Sequence, residues 1–188
     1  NDKIQAVLMS WQGGMEGGAA IADIICGDVN PSGKMTDTIT KSYDCSPCKD
    51  EFWESFQFID YSDDIYVGYR YFETIPGAKD HVRYPFGFGL SYTKFEISGK
   101  VCCESEGKIV AVATVKNIGN VAGKEVVQLY YAAPQGLLGK PAKVLGGYKK
   151  TKLLMPNESE TVVISFDIKD MASFDDLGKI QKSAYVLE

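Results

Sequence analysis

The sequence predicts a mixed fold: an incomplete α/β layer, then an aromatic connecting arm, then an all-β sandwich. Three observations carry that expectation. A short apolar run leads through a glycine-dense loop into a stretch of helical period; a long acidic and aromatic segment of no sustained period follows; and from about Phe95 apolar residues recur at every second position. The expected divisions are residues 1–40 for the α/β portion, 41–92 for the arm and 93–188 for the sandwich.

The opening run, "IQAVLMS" (residues 4–10), reads as a short strand buried on both faces. "WQGGMEGG" is a loop, and "AAIADIIC" sets Ile21, Ile24 and Ile25 at helical spacing with Gly27 as the stop. "DVNPSGKM" is a turn, since Asn30-Pro31 and Ser32-Gly33 join a restricted backbone to a permissive one. One strand–loop–helix unit has no sheet to pair with and too little core to stand alone. Its neighbouring units are therefore expected in polypeptide upstream of this sequence.

Between the halves, residues 40–92 carry too many aromatics for a solvated linker. An irregular segment of this length is commonly functional or part of an interface, so the arm is expected to pack against something. Within it "YPFGFGLSYTKF" (residues 84–95) holds five aromatics, interrupted by Gly87 and Gly89. Glycine at such positions lets another backbone pass close. The alternative is a bent core strand of aromatics.

The sandwich follows from period two. In "KIVAVATVKNIG", Val110, Val112 and Thr114 fall on one face and Ala111, Ala113 and Val115 on the other. "EVVQLYYAA", "AKVLGGYKK" and "ETVVISFDI" are further strands, and "NIGNVAG" and "MPNES" are turns by chemistry. "SAYVLE" is the last strand candidate, and the sandwich is expected to lack its final strand.

Composition narrows the partners. The chain is 45% hydrophobic and 24% charged, which argues against disorder. The net charge is −5 and the 20 Lys and Arg are scattered, so no basic stripe marks a nucleic-acid partner. No apolar run approaches the roughly eighteen residues a spanning helix needs, so no membrane partner is expected. The first residues lack the basic region and cleavage site of a signal peptide. Cys26, Cys45, Cys48, Cys102 and Cys103 make an odd set. "CSPC" has redox or zinc spacing, but no second pair accompanies it and His81 is the sole histidine. These thiols read as reduced and structural, with no metal, which favours a cytoplasmic setting. No cofactor is expected either: "GGMEGG" lacks both the lysine of a P-loop and the spacing of a dinucleotide loop.

Several strings together carry a resemblance. "ADIICGDVNPSGKM", "DIYVGYRYFET", "YPFGFGLSYTKF", "VKNIGNVAGKEVVQLYYAAPQG" and "KPAKVLGGYKKTKLLMPNESETV" resemble, in the same order, family 3 glycoside hydrolases, the β-glucosidase and β-xylosidase group. The resemblance spans nearly the whole chain. It implies the end of an α/β sandwich domain, the arm and a fibronectin type III-like sandwich, with "YPFGFGLSY" at the seam where the arm enters the sandwich. The implied parent carries a (β/α)8-type barrel and hydrolyses terminal β-linked sugars by the retaining route, which needs two carboxyl groups. The barrel is then a partner, and a β-linked oligosaccharide or glucoside the substrate. The tail "DMASFDDLGKIQKSAYVLE" resembles members whose barrel follows the sandwich. Neither the nucleophile motif nor the acid/base motif of the family occurs, so no residue here is expected to be catalytic.

Trp11, Gln12 and Glu16 are the candidates for the rim of a substrate pocket. They follow the expected strand, and ligands of open α/β sheets bind beyond the carboxyl ends of strands. The competing reading packs Trp11 into a domain interface and uses Glu16 to cap the helix. Asp63, Asp64 and Glu73 read as a solvated acidic arm rather than calcium ligands. Arg70, among aromatics, is expected to pair with a carboxylate rather than clamp substrate. His81 has no expected role. Two other readings stand beside the glycosidase portion: a free-standing module binding carbohydrate or protein, for which Tyr130 or Tyr131 must face outward as a platform, and a structural fragment that does not fold alone.

Overall fold

The computed structural model describes residues 3–51 and 55–187, and for residues 102–105 the backbone alone. Helix α1 (Gly17–Cys26) lies where the isoleucine spacing puts it, and Gly27 ends it in the left-handed region, φ 84°, its N–H donating to the Ile24 carbonyl. Ahead of it the expected strand does not form. Residues 4–10 run without a ladder, and Ile4 and Val7 are 61% and 64% exposed. A strand is stable only when its N–H and C=O groups are paired, and no described residue lies alongside to pair them.

The arm is more ordered than its lack of period suggests. Strands β1 (Ile39–Thr40) and β2 (Val82–Tyr84) pair antiparallel, and a short helix α2 (Tyr69–Thr74) buries Phe72. From Phe95 the sandwich begins. Strand β3 (Phe95–Ser105), β4 (Lys108–Asn117) and β7 (Ser159–Asp167) form one antiparallel sheet in the order β3-β4-β7. Strands β5 (Val126–Tyr131) and β6 (Val144–Lys150) form a second, and β8 (Ser173–Asp175) pairs with β9 (Ala184–Val186) as a hairpin. The "SAYVLE" strand is thus present. Cys102 and Cys103 fall on β3, but their side chains lie outside the described residues.

Of the two faces of β4, the one bearing Ala113 and Val115 is the core face. It meets Val162 of β7 and Leu154, with Phe95 and Val127 closing the edges. Val115 and Leu154 are fully buried, each stabilising by about 1.5–3 kcal/mol through apolar area removed from water. Two glycines bring the sheets together. A Cβ on Gly146 would fall 2.7 Å from the Phe166 ring, and one on Gly147 would fall 2.8 Å from Ile164.

Asn117 closes the core at the end of β4. Its residue is 0% exposed, yet every polar atom of its amide is used. Nδ2 donates to the carbonyls of Val121 (2.8 Å) and Leu154 (2.9 Å), while Oδ1 accepts from Thr93 Oγ1 (2.7 Å) and from the Gly119 N–H (3.1 Å). The "NIGNVAG" turn is therefore folded around its own first residue. Beyond β8, Asp175 does similar work. Its buried carboxylate accepts four backbone N–H bonds, from Gly178 and Lys179 on one oxygen and Ile180 and Gln181 on the other, at 2.7–3.0 Å. Burial works against its charge, but the four donors together outweigh that and hold the carboxyl below the usual aspartate range.

Two outcomes follow. Asn117→Ala leaves two carbonyls and two donors without partners in the core and should lower stability by about 3 kcal/mol, read as a shift of the urea midpoint at unchanged slope. Asp175 has a folded pKa below its unfolded one, so its contribution is present above the unfolded value and is lost as pH falls through the folded one. Denaturation profiled over that acid range should show a steeper loss for the natural chain than for Asp175→Asn.

Candidate functional site

Residues 11–16 form a compact ramp onto α1. Gly14 sits at φ 64°, and its carbonyl accepts the Gly17 N–H at 3.2 Å. Gly13 passes so close to Gly17 that a Cβ on it would fall 2.7 Å from the Gly17 Cα. The chain entering this ramp is strained. Trp11 adopts φ 47°, a left-handed conformation that costs a bulky residue roughly 1–2 kcal/mol.

That backbone leaves the Trp11 indole 60% exposed, with Gln12 and Glu16 exposed on the same loop. Glu16 occupies the N-cap position of α1, yet its side chain makes no capping bond and no ion pair among the described residues. The glutamate cap is thus not made, while the Trp11 indole is left uncovered by the described residues. What the loop presents is an aromatic face, an amide and a carboxylate. An indole stacks on the C–H face of a sugar, and the two polar groups can hydrogen-bond its hydroxyls.

The far end of α1, about 15 Å away along its axis, is bolted to the seam. Tyr92 donates its hydroxyl to the Ile24 carbonyl at 2.7 Å. Asn30 of the "NPSG" turn accepts from Ser91 Oγ and the Tyr92 N–H, both at 2.9 Å, and donates to the Ala122 carbonyl of the sandwich at 2.9 Å. Met35 exchanges backbone hydrogen bonds with Phe88 and Gly87, each 2.7 Å. Lys34 donates to the Gly89 carbonyl and forms a 2.7 Å ion pair with Glu125, with both side chains about 15% exposed. At Gly89 a Cβ would run into the Gly33 carbonyl, so two backbones touch where the glycine pattern expects a close approach. Neither Lys34 nor Glu125 was legible as a pair, because no local spacing links residues so far apart in the chain.

Other candidates separate. Cys48 donates to Asp63, and burial followed by that bond pushes its thiol up to about 12, which makes it an inert hydrophobe rather than a nucleophile. Asp64 is exposed at φ 50°, and Glu73 pairs with Lys79 (3.4 Å) and Lys143 (3.6 Å). The three acids share no site, and no group of three metal-ligating side chains is found among the described residues. Arg70 departs from expectation: its guanidinium forms no ion pair among the described residues, since Glu73 is already held by two lysines. His81 gives only its carbonyl, to the Lys41 N–H.

The platform expectation for Tyr130 and Tyr131 also needs correcting. Both are half-buried, on opposite faces of β5, because each face is covered. Tyr130 lies edge-on to Tyr69 of α2 with the Lys143 ammonium 4.5 Å over its ring, and burial pushes its phenol up to about 12. Tyr131 stacks on Phe166 at 5.3 Å. Around Tyr130 a cavity of about 200 Å³ is lined also by Thr38, Glu73, Lys79 and Phe86, and the buried Thr38 Oγ1 has no hydrogen-bond partner among the described residues.

Comparison with known proteins gives a consistent picture. The glycosyl hydrolase family 3 C-terminal domain model matches residues 1–92, and the fibronectin type III-like domain model matches residues 125–187. Beta-glucosidase A of Butyrivibrio fibrisolvens is 55% identical over 203 aligned positions, covering 100% of this chain and 24% of that protein. A beta-glucosidase of Ruminococcus albus is 51% identical, covering 92% and 18%. Among solved structures, a beta-glucosidase from Paenibacillus barengoltzii superposes with TM-score 0.89 at 49% identity over 95% of this chain and 20% of its own. Beta-glucosidase 3B from Thermotoga neapolitana, in complex with glucose, gives 0.83 at 40% over 93% and 24%. The chain thus spans about a quarter or less of the relatives it matches.

Replacing Gly89 by Ala tests the seam: the added methyl meets the Gly33 backbone, and stability should fall by about 2 kcal/mol in a urea titration, whereas Gly18→Ala, which meets open space on α1, should not lower it.

Proposed function

Residues 1–92 belong to the C-terminal domain of glycosyl hydrolase family 3 and residues 125–187 to the fibronectin type III-like domain, and from this we propose that the chain is a supporting, non-catalytic portion of a β-glucosidase. The observation that carries the reading is similarity over the full chain to a part of much longer β-glucosidases, joined to a seam built of largely buried polar contacts. In this reading residues 1–40 complete the α/β domain, 41–92 bind it to its neighbours, and 93–188 buttress both.

The parent cleaves terminal β-linked glucosides with two carboxyl groups, one attacking and one protonating. Here many of the acids are already engaged: Glu125 with Lys34, Glu73 with two lysines, Asp175 with four N–H groups. This chain's contribution to the reaction is a wall. Trp11, Gln12 and Glu16 form part of the sugar-binding rim, with the indole stacking and the two polar groups fixing hydroxyls. A strained Trp11 backbone supports that role, since strain is retained where a side chain must be aimed. The attacking aspartate is supplied by the barrel and the acid/base glutamate by the part of the α/β domain upstream of residue 1.

A second reading, a free-standing carbohydrate-binding module, is favoured by one feature. Phe174 and Tyr185 of the β8–β9 hairpin form an edge-on pair 5.3 Å apart, 52% and 78% exposed.

The chain alone is expected to leave a chromogenic aryl β-glucoside uncleaved, and mixing with a separately made barrel-containing fragment should restore turnover. In that reconstituted enzyme Trp11→Ala should lower kcat/KM roughly tenfold. Tight glucoside binding by the isolated chain, abolished by Phe174→Ala, would favour the module instead.

A further inference from the structure

A second groove, of about 570 Å³, opens between α2, the loop after β5 and the turn after β7. Lys140 and Arg70 both line it, together with Tyr131 and Met171. Lys140 is only 2% exposed. Its ammonium carries three donors, and its one hydrogen bond among the described residues is a long 3.4 Å contact to the Met171 carbonyl. No carboxylate of the described residues lies within ion-pair distance of it. The backbone at this point is fixed, because Gln135 brackets it, donating to the Lys140 carbonyl (2.8 Å) and accepting from its N–H (3.3 Å).

Arg70 adds a second cation to the lining. Its five guanidinium donors find no acceptor among the described residues, while its charge works against the burial that raises the Tyr131 phenol. A buried cation without a counter-charge is unfavourable, and the groove that holds this one is lined by a second cation that is half-buried. The acids that line the same groove do not relieve them. Asp175 has both oxygens consumed by backbone N–H groups, and Asp64, Asp170 and Asp176 are exposed at the rim.

We propose that this groove is a carboxylate-binding site, in which Lys140 and Arg70 receive a single carboxylate group. Cations at depth with acids at the mouth select charge in a specific way. A monoanion reaches the two cations with one group, and its uncharged body passes the rim. A phosphate or other polyanion meets three rim acids as it enters, Asp64, Asp170 and Asp176, against the single exposed cation Lys179. The planar guanidinium matches a carboxylate with two parallel bonds, which the ammonium supplements as a point charge. The carboxylate has two chemical sources: a sugar acid, or the side chain of an acidic residue in a polypeptide segment. This site is separate from the Trp11 rim and stands whether or not the rim binds sugar.

The test is an NMR titration of the isotope-labelled full chain, following the backbone amides of Lys140 and Met171. The probes are glucuronate and N-acetylglutamate amide, each paired with its neutral counterpart, glucose and N-acetylglutamine amide. We expect saturable shifts in the millimolar range from at least one charged probe and none from its neutral counterpart. Arg70→Gln and Lys140→Met should each weaken the response roughly tenfold, the loss of one charge-assisted contact. A preference for glucuronate identifies a sugar acid, and a preference for the glutamate amide identifies a polypeptide carboxylate. The proposal is overturned if neutral and charged probes behave alike, if neither charged probe shifts these amides, or if both variants respond as the natural chain does. Should a variant fail to fold, the charged-against-neutral comparison on the natural chain still decides.

Discussion

The seam between the "NPSG" turn and the arm is the constraint on which the rest depends. Three segments far apart in sequence meet there: residues 30–35, residues 84–92 and residues 121–125. Asn30 bonds to all but the first of them through one amide, and the Lys34–Glu125 pair spans from turn to sandwich. Because both ions are largely removed from water, their attraction is poorly screened, and removing either would strand the other. The glycine at 89 is what lets its backbone reach that of residue 33, since a Cβ there would strike the Gly33 carbonyl. A helix fastened this way transmits its position to the loop at its other end. The placement of Trp11, Gln12 and Glu16 is therefore a consequence of contacts about 15 Å away.

Polar groups inside this protein are used as fasteners more than as chemistry. Asn117 and Asp175 each gather a turn around one side chain, satisfying backbone groups that would otherwise be buried without partners. The apolar core between the sheets is small, centred on Val115, Leu154, Ala113 and Val162. With so few large side chains, close approach of the sheets at Gly146 and Gly147 matters, since it brings Phe166 and Ile164 directly onto the opposing backbone. Against this economy, Lys140 and Arg70 stand out as cations that form no ion pair among the described residues.

The arm explains why a segment without period is so rich in aromatics. Tyr69 and Phe86 pack together at 4.6 Å and cover Tyr130, while Tyr84 and Phe88 pair at 5.2 Å beside the seam. Tyr69 also accepts the Leu145 N–H of β6, so the arm supplies polar as well as apolar closure to the second sheet. A two-stranded sheet is marginal by itself, and α2 laid across one face is what gives β5 and β6 a second surface to pack on.

Much of this was written in the local sequence, and what was legible had a local cause. The isoleucine spacing and Gly27 determined α1; alternation determined β4 and β7; the chemistry of "NIGNVAG" and "MPNES" determined turns. Glycines amid the aromatics of residues 84–92 marked a close backbone approach, though not its partner. Trp11, Gln12 and Glu16 stood out as candidates by their place after the apolar run, but their exposure and the left-handed Trp11 could not be read. The strand expected over residues 4–10 fails for the same reason the Lys34–Glu125 pair was invisible. Pairing is a property of two segments, and a single stretch of sequence carries only its own half of it. Which face of β5 is covered, which carboxylate Arg70 lacks and which carbonyl Asn30 reaches depend on distance in space, and only the tertiary structure decides that.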